Sequence, residues 1–182
     1  MPNLQPDSIP GDATPPNGAL PCVIDIEASG FGRGSYPIEI GIALPDGSAY
    51  CALVRPAREW THWDREAERV HGISRTLLEL HGRSAEEVAA ELNRRLDGRP
   101  VYSDNWAHDY AWLAQLFETA GLRPSFSLHH LRELMSDAAV ARFDDARDMI
   151  SRGLPGRRHR ASADARVLQL SVAWVRQEGE AS

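Results

Sequence analysis

Two carboxylates stand two residues apart near the start of the sequence, inside an apolar stretch. The segment CVIDIEASGFGRG, residues 22–34, carries Asp25 and Glu27 into a glycine-rich turn. In a β-strand these two side chains share one face, while Ile24 and Ile26 point to the other. Two like charges so close resist burial, and a bound Mg²⁺ or Mn²⁺ ion would remove that conflict. The alternative is an ordinary pair of exposed strand acids.

A second acid, Asp109, stands in SDNWAHDYAWL at the start of a predicted helix. It is a candidate metal ligand, although the helix dipole also favours an Asp in a first turn. Asp104 competes for the ligand role, and the alternative for Asp104 is a turn residue at the end of a strand.

The segment HRASADA supplies a histidine and a further acid, His159 and Asp164. Five residues of α-helix turn through about 500°, so these two side chains would not share a helix face. We therefore expect His159 in the loop before the helix, where it is free to move. Asp164 begins an inward-facing stripe of helical period, continued by Leu168, Ser171 and Val175. A metal ion would satisfy this carboxylate, and backbone N–H groups at the helix start are the alternative.

The composition of the chain restricts its function. The 182 residues, 42% of them hydrophobic, suit one globular domain with a sizeable core. The net charge of −6 argues against non-specific binding of long nucleic acids, but not against a local site that grips one strand end. All basic residues are arginines. Without lysine, Schiff-base catalysis and a Walker phosphate loop are excluded.

Cysteine usage and hydropathy indicate the compartment. Cys22 and Cys51 form no CxxC pair and no His/Cys cluster, which fits a reducing cytosol. The apolar stretches are too short to cross a bilayer, and the N-terminus lacks the basic and apolar parts of a secretory signal. We therefore expect a cytoplasmic protein with no membrane contact.

The chain divides into a tail and one domain. Residues 1–20 are predicted to be a disordered, proline-rich tail, because they contain almost no bulky apolar residues. Residues 21–182 are predicted to form a single domain.

Apolar patterns and capping residues predict the elements of this domain. The predicted strands are PCVIDIE, RPVYS and the hairpin YPIEIGIALPDGSAYCALVRP, which turns at residues 45–48. The first predicted helix is WDREAERV, which ends at His71-Gly72, and the second is SAEEVAAELNRRL, which begins with the capping box of Ser84 and Glu87. HDYAWLAQLFETA is predicted to form a helix that ends at Gly121. Two more helices are predicted in residues 129–151, and the last is ASADARVLQLSVAWVRQE. Strands followed by alternating strands and helices predict an α/β fold, with a mixed central sheet flanked by helices.

In order and spacing, these motifs resemble those of the DEDDh family of 3′–5′ exonucleases, which have a ribonuclease H-like fold. DIEASGFG resembles the first family motif, SDNWAHDYAWL the second and HRASADA the third, and VHGIS resembles a segment between the first two. The resemblance covers about residues 22–175. The second motif selects Asp109 as the ligand and places Asp104 where the family usually has a His. Ala28 and Ser29 replace a usual Thr pair.

The resemblance implies a two-metal mechanism that uses Mg²⁺ or Mn²⁺. Asp25, Glu27 and Asp164 would hold one ion, and Asp25 with Asp109 would hold the other. His159 would be the general base that takes a proton from the attacking water.

The resemblance also implies contacts with the last nucleotide of a strand. Ser29 and Gly30 would offer backbone N–H groups, and Phe31 would wedge against a base, unless Phe31 belongs to the core. His71 in VHGIS would contact the terminal sugar or base, or else cap a helix end.

Four further charged residues accompany these motifs. Arg157, Arg158 and Arg160 flank His159, where they would hold backbone phosphates or lie as solvated loop charges. Glu39 in PIEIG is also familiar in the family, and we expect a structural role for it.

The implied activity is that of a metal-dependent 3′–5′ exonuclease, which releases nucleoside 5′-monophosphates from the 3′ ends of single strands. VHGIS favours DNA over RNA modestly, because the DNA-proofreading branch of the family carries a similar segment. The alternatives are an oligoribonuclease-like RNA exonuclease, a non-catalytic ribonuclease H-like docking module and an acid-lined calcium-binding structural domain. A protein partner or a homodimer is a further open expectation.

Overall fold

The computed structural model describes residues 19–154 and 159–180, with side chains through residue 177. The predicted tail lies outside these residues except for its last two positions, and so do Arg157 and Arg158. The strands are β1 (Val23–Ala28), β2 (Pro37–Ala43), β3 (Ala49–Leu53), β4 (Pro100–Ser103) and β5 (Ser127–His130). The helices are α1 (Arg65–His71), α2 (Arg75–His81), α3 (Ala85–Leu96), α4 (Trp106–Ala120), α5 (Asp137–Gly153) and α6 (Ala161–Glu180). No helix in the described part of the chain is both long and apolar enough to cross a membrane.

The strands form one mixed five-stranded sheet in the order β3-β2-β1-β4-β5. β1 pairs antiparallel with β2 and parallel with β4, and β5 continues the sheet parallel to β4. β1 is therefore the central strand, with neighbours on both edges. The predicted α/β fold, a mixed central sheet flanked by helices, is confirmed.

The two faces of β1 pack against different helices. Ile24 and Ile26 belong to the main core, which also contains Leu92 of α3. Val23, on the opposite face, packs in a second core with Leu168 of α6. Because side chains alternate along a strand, the two acids of β1 also face the α6 side.

The residues predicted to end or connect elements do so. Ser84 and Glu87 form the capping box of α3. Gly72 and Gly121 adopt left-handed backbone conformations after α1 and α4, with φ of 70° and 65°. The β2–β3 hairpin turns at residues 45–48, where the Leu44 N–H donates to the Ser48 carbonyl at 2.8 Å.

Two segments differ from the prediction. Residues 129–151 contain two helices, as predicted, namely a 3-10 helix (Leu131–Leu134) and most of α5, but they follow the strand β5, which the sequence prediction lacks. SLHH forms a strand because its backbone pairs in register with β4, an interaction between distant segments that no local pattern reveals. The helix α2 is absent from the prediction. Only Leu78 of α2 is buried, so its apolar stripe is too short to show a period.

Candidate active site

The N-terminus of α6 lies directly on β2, next to the acids of β1. Gly41 of β2 is the cross-strand partner of Asp25. A Cβ added to Gly41 would lie 2.0 Å from the backbone nitrogen of Ser162, so only glycine permits this approach. The close contact brings the first turn of α6, with Asp164, to the acidic face of β1 that carries Asp25 and Glu27.

Three side chains converge at this contact. One potential ligand atom from each of Glu27, His159 and Asp164 lies within 4.8 Å of the other two. His159 is exposed in the loop before α6, where the sequence places it, and it has a left-handed φ of 60°. The spacing allows the three side chains to share one cation. It equally allows His159 to act on a group held by the two carboxylates.

Asp109 lies in the first turn of α4, close to Asp25. Its side chain is 1% exposed, and its Oδ2 accepts a hydrogen bond from the Ser103 hydroxyl. Burial raises the pKa of Asp109 to about 7, against the opposing effect of the Ser103 hydrogen bond. Burial, followed by the charges of Asp109 and Glu27, holds the pKa of Asp25 well above its usual range. The Asp109 carboxylate is thus the neighbouring charge that most strongly affects Asp25.

The crowded carboxylates fit a divalent cation. Burial, together with the charges of Asp164 and Glu39, raises the pKa of Glu27 to about 7. These acids resist ionisation first because they are buried, and second because each adds to the negative potential at the others. A hard divalent cation would remove that repulsion, and carboxylate oxygens are the ligands that Mg²⁺ and Mn²⁺ prefer.

Asp104, the competing candidate, lies just after β4 and lines the cavity described below. Its Oδ2 is 3.7 Å from Nη1 of Arg147. Burial raises the pKa of Asp104, and the Arg147 charge lowers it. Asp104 therefore has a cationic partner, whereas Asp109 is paired with a neutral hydroxyl. This difference favours Asp109 as the metal ligand.

A buried ion pair holds the chain immediately after His159. Glu39 on β2 is 0% exposed and accepts hydrogen bonds from Nε and Nη2 of Arg160, at 2.9 and 2.6 Å. The same carboxylate accepts the N–H of Ala161 at 2.9 Å. The prediction that Arg160 contacts phosphate or lies as a solvated charge is wrong, because its guanidinium is bound to Glu39. The structural role expected for Glu39 is confirmed.

A cavity of about 400 Å³ opens beside these acids. Its wall is built from β1 and the turn after it, the connection between β4 and α4, and the helices α1, α4, α5 and α6. Of the predicted site residues, Asp25, Glu27, Gly30, Phe31, His71, His159 and Asp164 line the cavity, whereas Ser29 and Asp109 do not.

Ser29 does not present a free N–H group, which corrects the sequence prediction. Its N–H donates to the Tyr36 carbonyl at 2.9 Å. Its hydroxyl accepts the Tyr36 N–H at 3.1 Å and pairs with Nδ1 of His62 at 3.0 Å. Ser29 therefore stabilises the turn after β1 from within.

Gly30 and Phe31 continue this turn along the cavity wall. Gly30 has φ of 138°, and an added Cβ would lie 2.6 Å from the Cβ of Asp64, so the position requires glycine. Phe31 is 66% exposed and is not a core residue. Its ring lies edge-on to His108 and tilted against Trp112, with centroids 5.3 and 5.9 Å apart. The Phe31 ring is thus a supported aromatic surface at the cavity.

His71 has a buried ring nitrogen without a partner among the described residues. Its Nδ1 accepts the N–H of Ile73 at 3.0 Å, and its Nε2 has no hydrogen bond. Burial lowers the pKa of His71, which favours the neutral ring. Because Nδ1 accepts, the neutral ring carries its proton on Nε2, and this N–H is a buried donor beside the cavity.

The helix α5 contributes side chains to the cavity that no motif in the sequence marks. Arg147, Asp148 and Ser151 all line it. Their spacing places them within one turn of α5, which is a polar signal, but many exposed helices carry the same pattern. Only the packing of α5 against α6 selects this face for the cavity.

No protein-family model matches the sequence, and no curated protein matches it. Solved structures with a similar fold do exist. One is the zinc-bound form of the E. coli exonuclease I–single-stranded DNA complex, with 16% identity, a TM-score of 0.65, and coverage of 88% of this chain and 41% of the other. Another is the moderately thermophilic exonuclease I of Methylocaldum szegediense, with 15% identity, a TM-score of 0.69, and coverage of 89% and 41%.

E. coli exonuclease I in complex with a dT13 oligonucleotide is similarly related, with 14% identity, a TM-score of 0.69, and coverage of 90% of this chain and 42% of the other. The chain therefore spans about two fifths of the length of these neighbours. At such identities the similarity shows the fold alone, which is the mixed α/β fold of these exonuclease I structures.

Proposed function

We propose that this protein is a metal-dependent 3′–5′ exonuclease. It hydrolyses phosphodiester bonds at the 3′ ends of single-stranded nucleic acid and releases nucleoside 5′-monophosphates. The observation that carries the proposal is the convergence of Glu27, His159 and Asp164 within 4.8 Å, beside Asp25 and at a cavity open to a ligand. A purely structural role for the acids would leave the repulsion among them unexplained.

Two divalent ions, Mg²⁺ or Mn²⁺, fit the carboxylates. Asp25, Glu27 and Asp164 would hold one, and Asp25 with the buried Asp109 would hold the other. When bound, such ions stabilise negative charge on the attacking and leaving oxygens of an in-line displacement. The Ser103 hydroxyl donates a hydrogen bond to Oδ2 of Asp109, which fixes the carboxylate and leaves Oδ1 to bind the metal ion.

His159 supplies the proton transfer in this mechanism. Its ring accepts a proton from the attacking water as the new P–O bond forms. The P–O3′ bond breaks, and the departing O3′ takes up a proton from solvent water. The products are a nucleoside 5′-monophosphate and a strand that is one nucleotide shorter and ends in a 3′-hydroxyl. The Glu39–Arg160 pair positions His159, because it fixes the residue that follows directly in the chain.

Residues of the cavity wall bind the terminal nucleotide of the strand. The exposed ring of Phe31 stacks on a base of any identity, which suits trimming without sequence preference. The unpartnered Nε2–H of His71 donates to an acceptor on the terminal nucleotide. Gly30 keeps this part of the wall packed against Asp64, because an added Cβ would lie 2.6 Å from the Cβ of Asp64.

We favour DNA as the substrate. Structures of exonuclease I with a similar fold contain single-stranded DNA or the oligonucleotides dT13 and dA16. The segment VHGIS, which carries His71, points the same way. RNA remains the second candidate, because a chain of net charge −6 suits short strands of either sugar.

The proposal is tested by a time course with 5′-labelled single-stranded DNA and RNA on denaturing gels, in Mg²⁺, Mn²⁺ or EDTA. We expect a metal-dependent ladder that shortens from the 3′ end, and the faster sugar identifies the substrate. Asp25→Ala should abolish the ladder. Absence of cleavage of both strands in either metal would reject the exonuclease and favour a non-catalytic docking module.

A further inference from the structure

The cavity has an unusual charge balance for a site that takes a polyanion. Its described lining carries acids from four segments: Asp25, Glu27, Asp104, Asp148 and Asp164. Arg147 is the one arginine among the described lining residues. A strand that enters the cavity therefore meets repulsion from the acids and attraction from a single described guanidinium.

Arg147 is held at the cavity by long, weak ion pairs. Its Nη1 lies 3.7 Å from Oδ2 of Asp104, and its Nη2 lies 3.3 Å from Oδ1 of Asp144. The Arg147 side chain is 42% exposed, so water screens both pairs. A guanidinium has five N–H donors, so these contacts leave donors available to a ligand.

We propose that Arg147 is the side chain that binds a backbone phosphate of the substrate strand in the cavity. This inference rests on the proposed function and adds a residue that determines substrate affinity. Asp104 and Asp144 aim the guanidinium before the strand arrives, and a phosphate then takes two of its N–H donors through a bidentate contact. The ion pair with Arg147 thus assigns a positioning role to Asp104, which occupies the place of a His in related motifs.

Arg152 provides a matched control on the same helix. It lies on α5, it is paired with Asp148 at 3.9 Å, and its side chain is 83% exposed. It does not line this cavity. Arg152→Gln therefore removes the same formal charge as Arg147→Gln without removing the proposed phosphate contact.

The test measures kcat and KM for a single-stranded oligonucleotide over a series of NaCl concentrations. We expect Arg147→Gln to raise KM about tenfold with little change in kcat, because the contact exists in both the ground state and the transition state. The slope of log KM against log salt should fall by about 0.7, which corresponds to one phosphate contact on a single strand. Arg147→Lys should recover part of the affinity, and Arg152→Gln should leave KM and the slope unchanged.

Binding without turnover gives a second readout. In a His159→Ala background with Mg²⁺, fluorescence anisotropy of a labelled oligonucleotide should show the same loss of affinity and of salt dependence for Arg147→Gln. Equal behaviour of Arg147→Gln and Arg152→Gln, while the wild type cleaves, would overturn the inference and leave the exonuclease intact. A wild type that neither cleaves nor binds would reject both.

Discussion

Carboxylate crowding at the site should make the metal-free protein less stable at high pH. Burial and neighbouring charges raise the pKa of Glu27 and of Asp109 to about 7, from ordinary values of 4.5 and 3.8. Between about pH 4 and pH 7 the folded protein keeps protons that the unfolded chain has released. The free energy of unfolding therefore falls as pH rises through this window, and the full loss is present above about pH 7.

The size of this loss follows from the two pKa values. The pKa of Glu27 rises by about 2.5 and that of Asp109 by about 3. A pKa change of one corresponds to about 1.4 kcal/mol, so the two groups taken separately would lose about 8 kcal/mol. Glu27 is partly exposed and screened by water, and the carboxylates share one mutual repulsion. We therefore expect a loss of about 3 kcal/mol, which lowers the melting temperature by roughly 6–12 °C for a domain of this size.

The assay is thermal unfolding followed by circular dichroism in EDTA, from about pH 5 to about pH 8. Asp109→Asn should be more stable than wild type at high pH and should show a weaker pH dependence. Glu118→Gln, which removes an exposed acid near the other end of α4, is the matched control and should keep the wild-type dependence. Mg²⁺ should stabilise the wild type more at high pH, because protons compete with the metal for the same oxygens.

Two results would refute this reasoning. One is a melting temperature in EDTA that is equal or higher at about pH 8 than at about pH 5. The other is an Asp109→Asn variant that keeps the full pH dependence, since the repulsion would then not arise at this cluster.

Three further predictions concern single residues. His159→Ala should lower kcat by about 10²- to 10⁴-fold in the gel assay, while calorimetry shows unchanged Mg²⁺ binding and melting. Asp109→Asn should lower activity by about a hundredfold or more, and Asp104→Asn by less than about tenfold; the reverse order would show that Asp104 is the ligand. Gly41→Ala should lower the melting temperature by roughly 5–10 °C, because its Cβ would lie 2.0 Å from the α6 backbone. Gly153→Ala, whose Cβ meets nothing within 4 Å, should not, and equal melting of the two variants would show that β2 and α6 are less closely packed.

Local patterns in the sequence predict much of this fold. The alternation around Asp25 places both acids of β1 on the α6 side, and Ser84 with Glu87 marks the start of α3. These features depend on neighbours within a few residues, which is why single-sequence rules find them. The strand β5 depends instead on pairing with β4, a partner distant in sequence, so local patterns do not reveal it.

The motifs predict which residues form the candidate site, but they do not predict the contacts that hold those residues in place. HRASADA places His159 in a loop and Asp164 on the inner face of α6. It does not reveal that Arg160 binds Glu39, because that contact joins residues far apart in the chain. Likewise, the motifs do not reveal that the N–H of Ser29 donates to the Tyr36 carbonyl, because the turn after β1 brings these two residues together. Arg147 enters the cavity only because α5 packs against α6.

The central claim is tested most directly by the first product released from a single-stranded oligonucleotide whose 3′-terminal nucleotide carries the label. In Mg²⁺ or Mn²⁺, we predict that the label leaves first as a nucleoside 5′-monophosphate, and that EDTA or Asp25→Ala prevents its release. Label that appears first on fragments longer than one nucleotide, or no release in either metal, would contradict the assignment of this site to a 3′–5′ exonuclease.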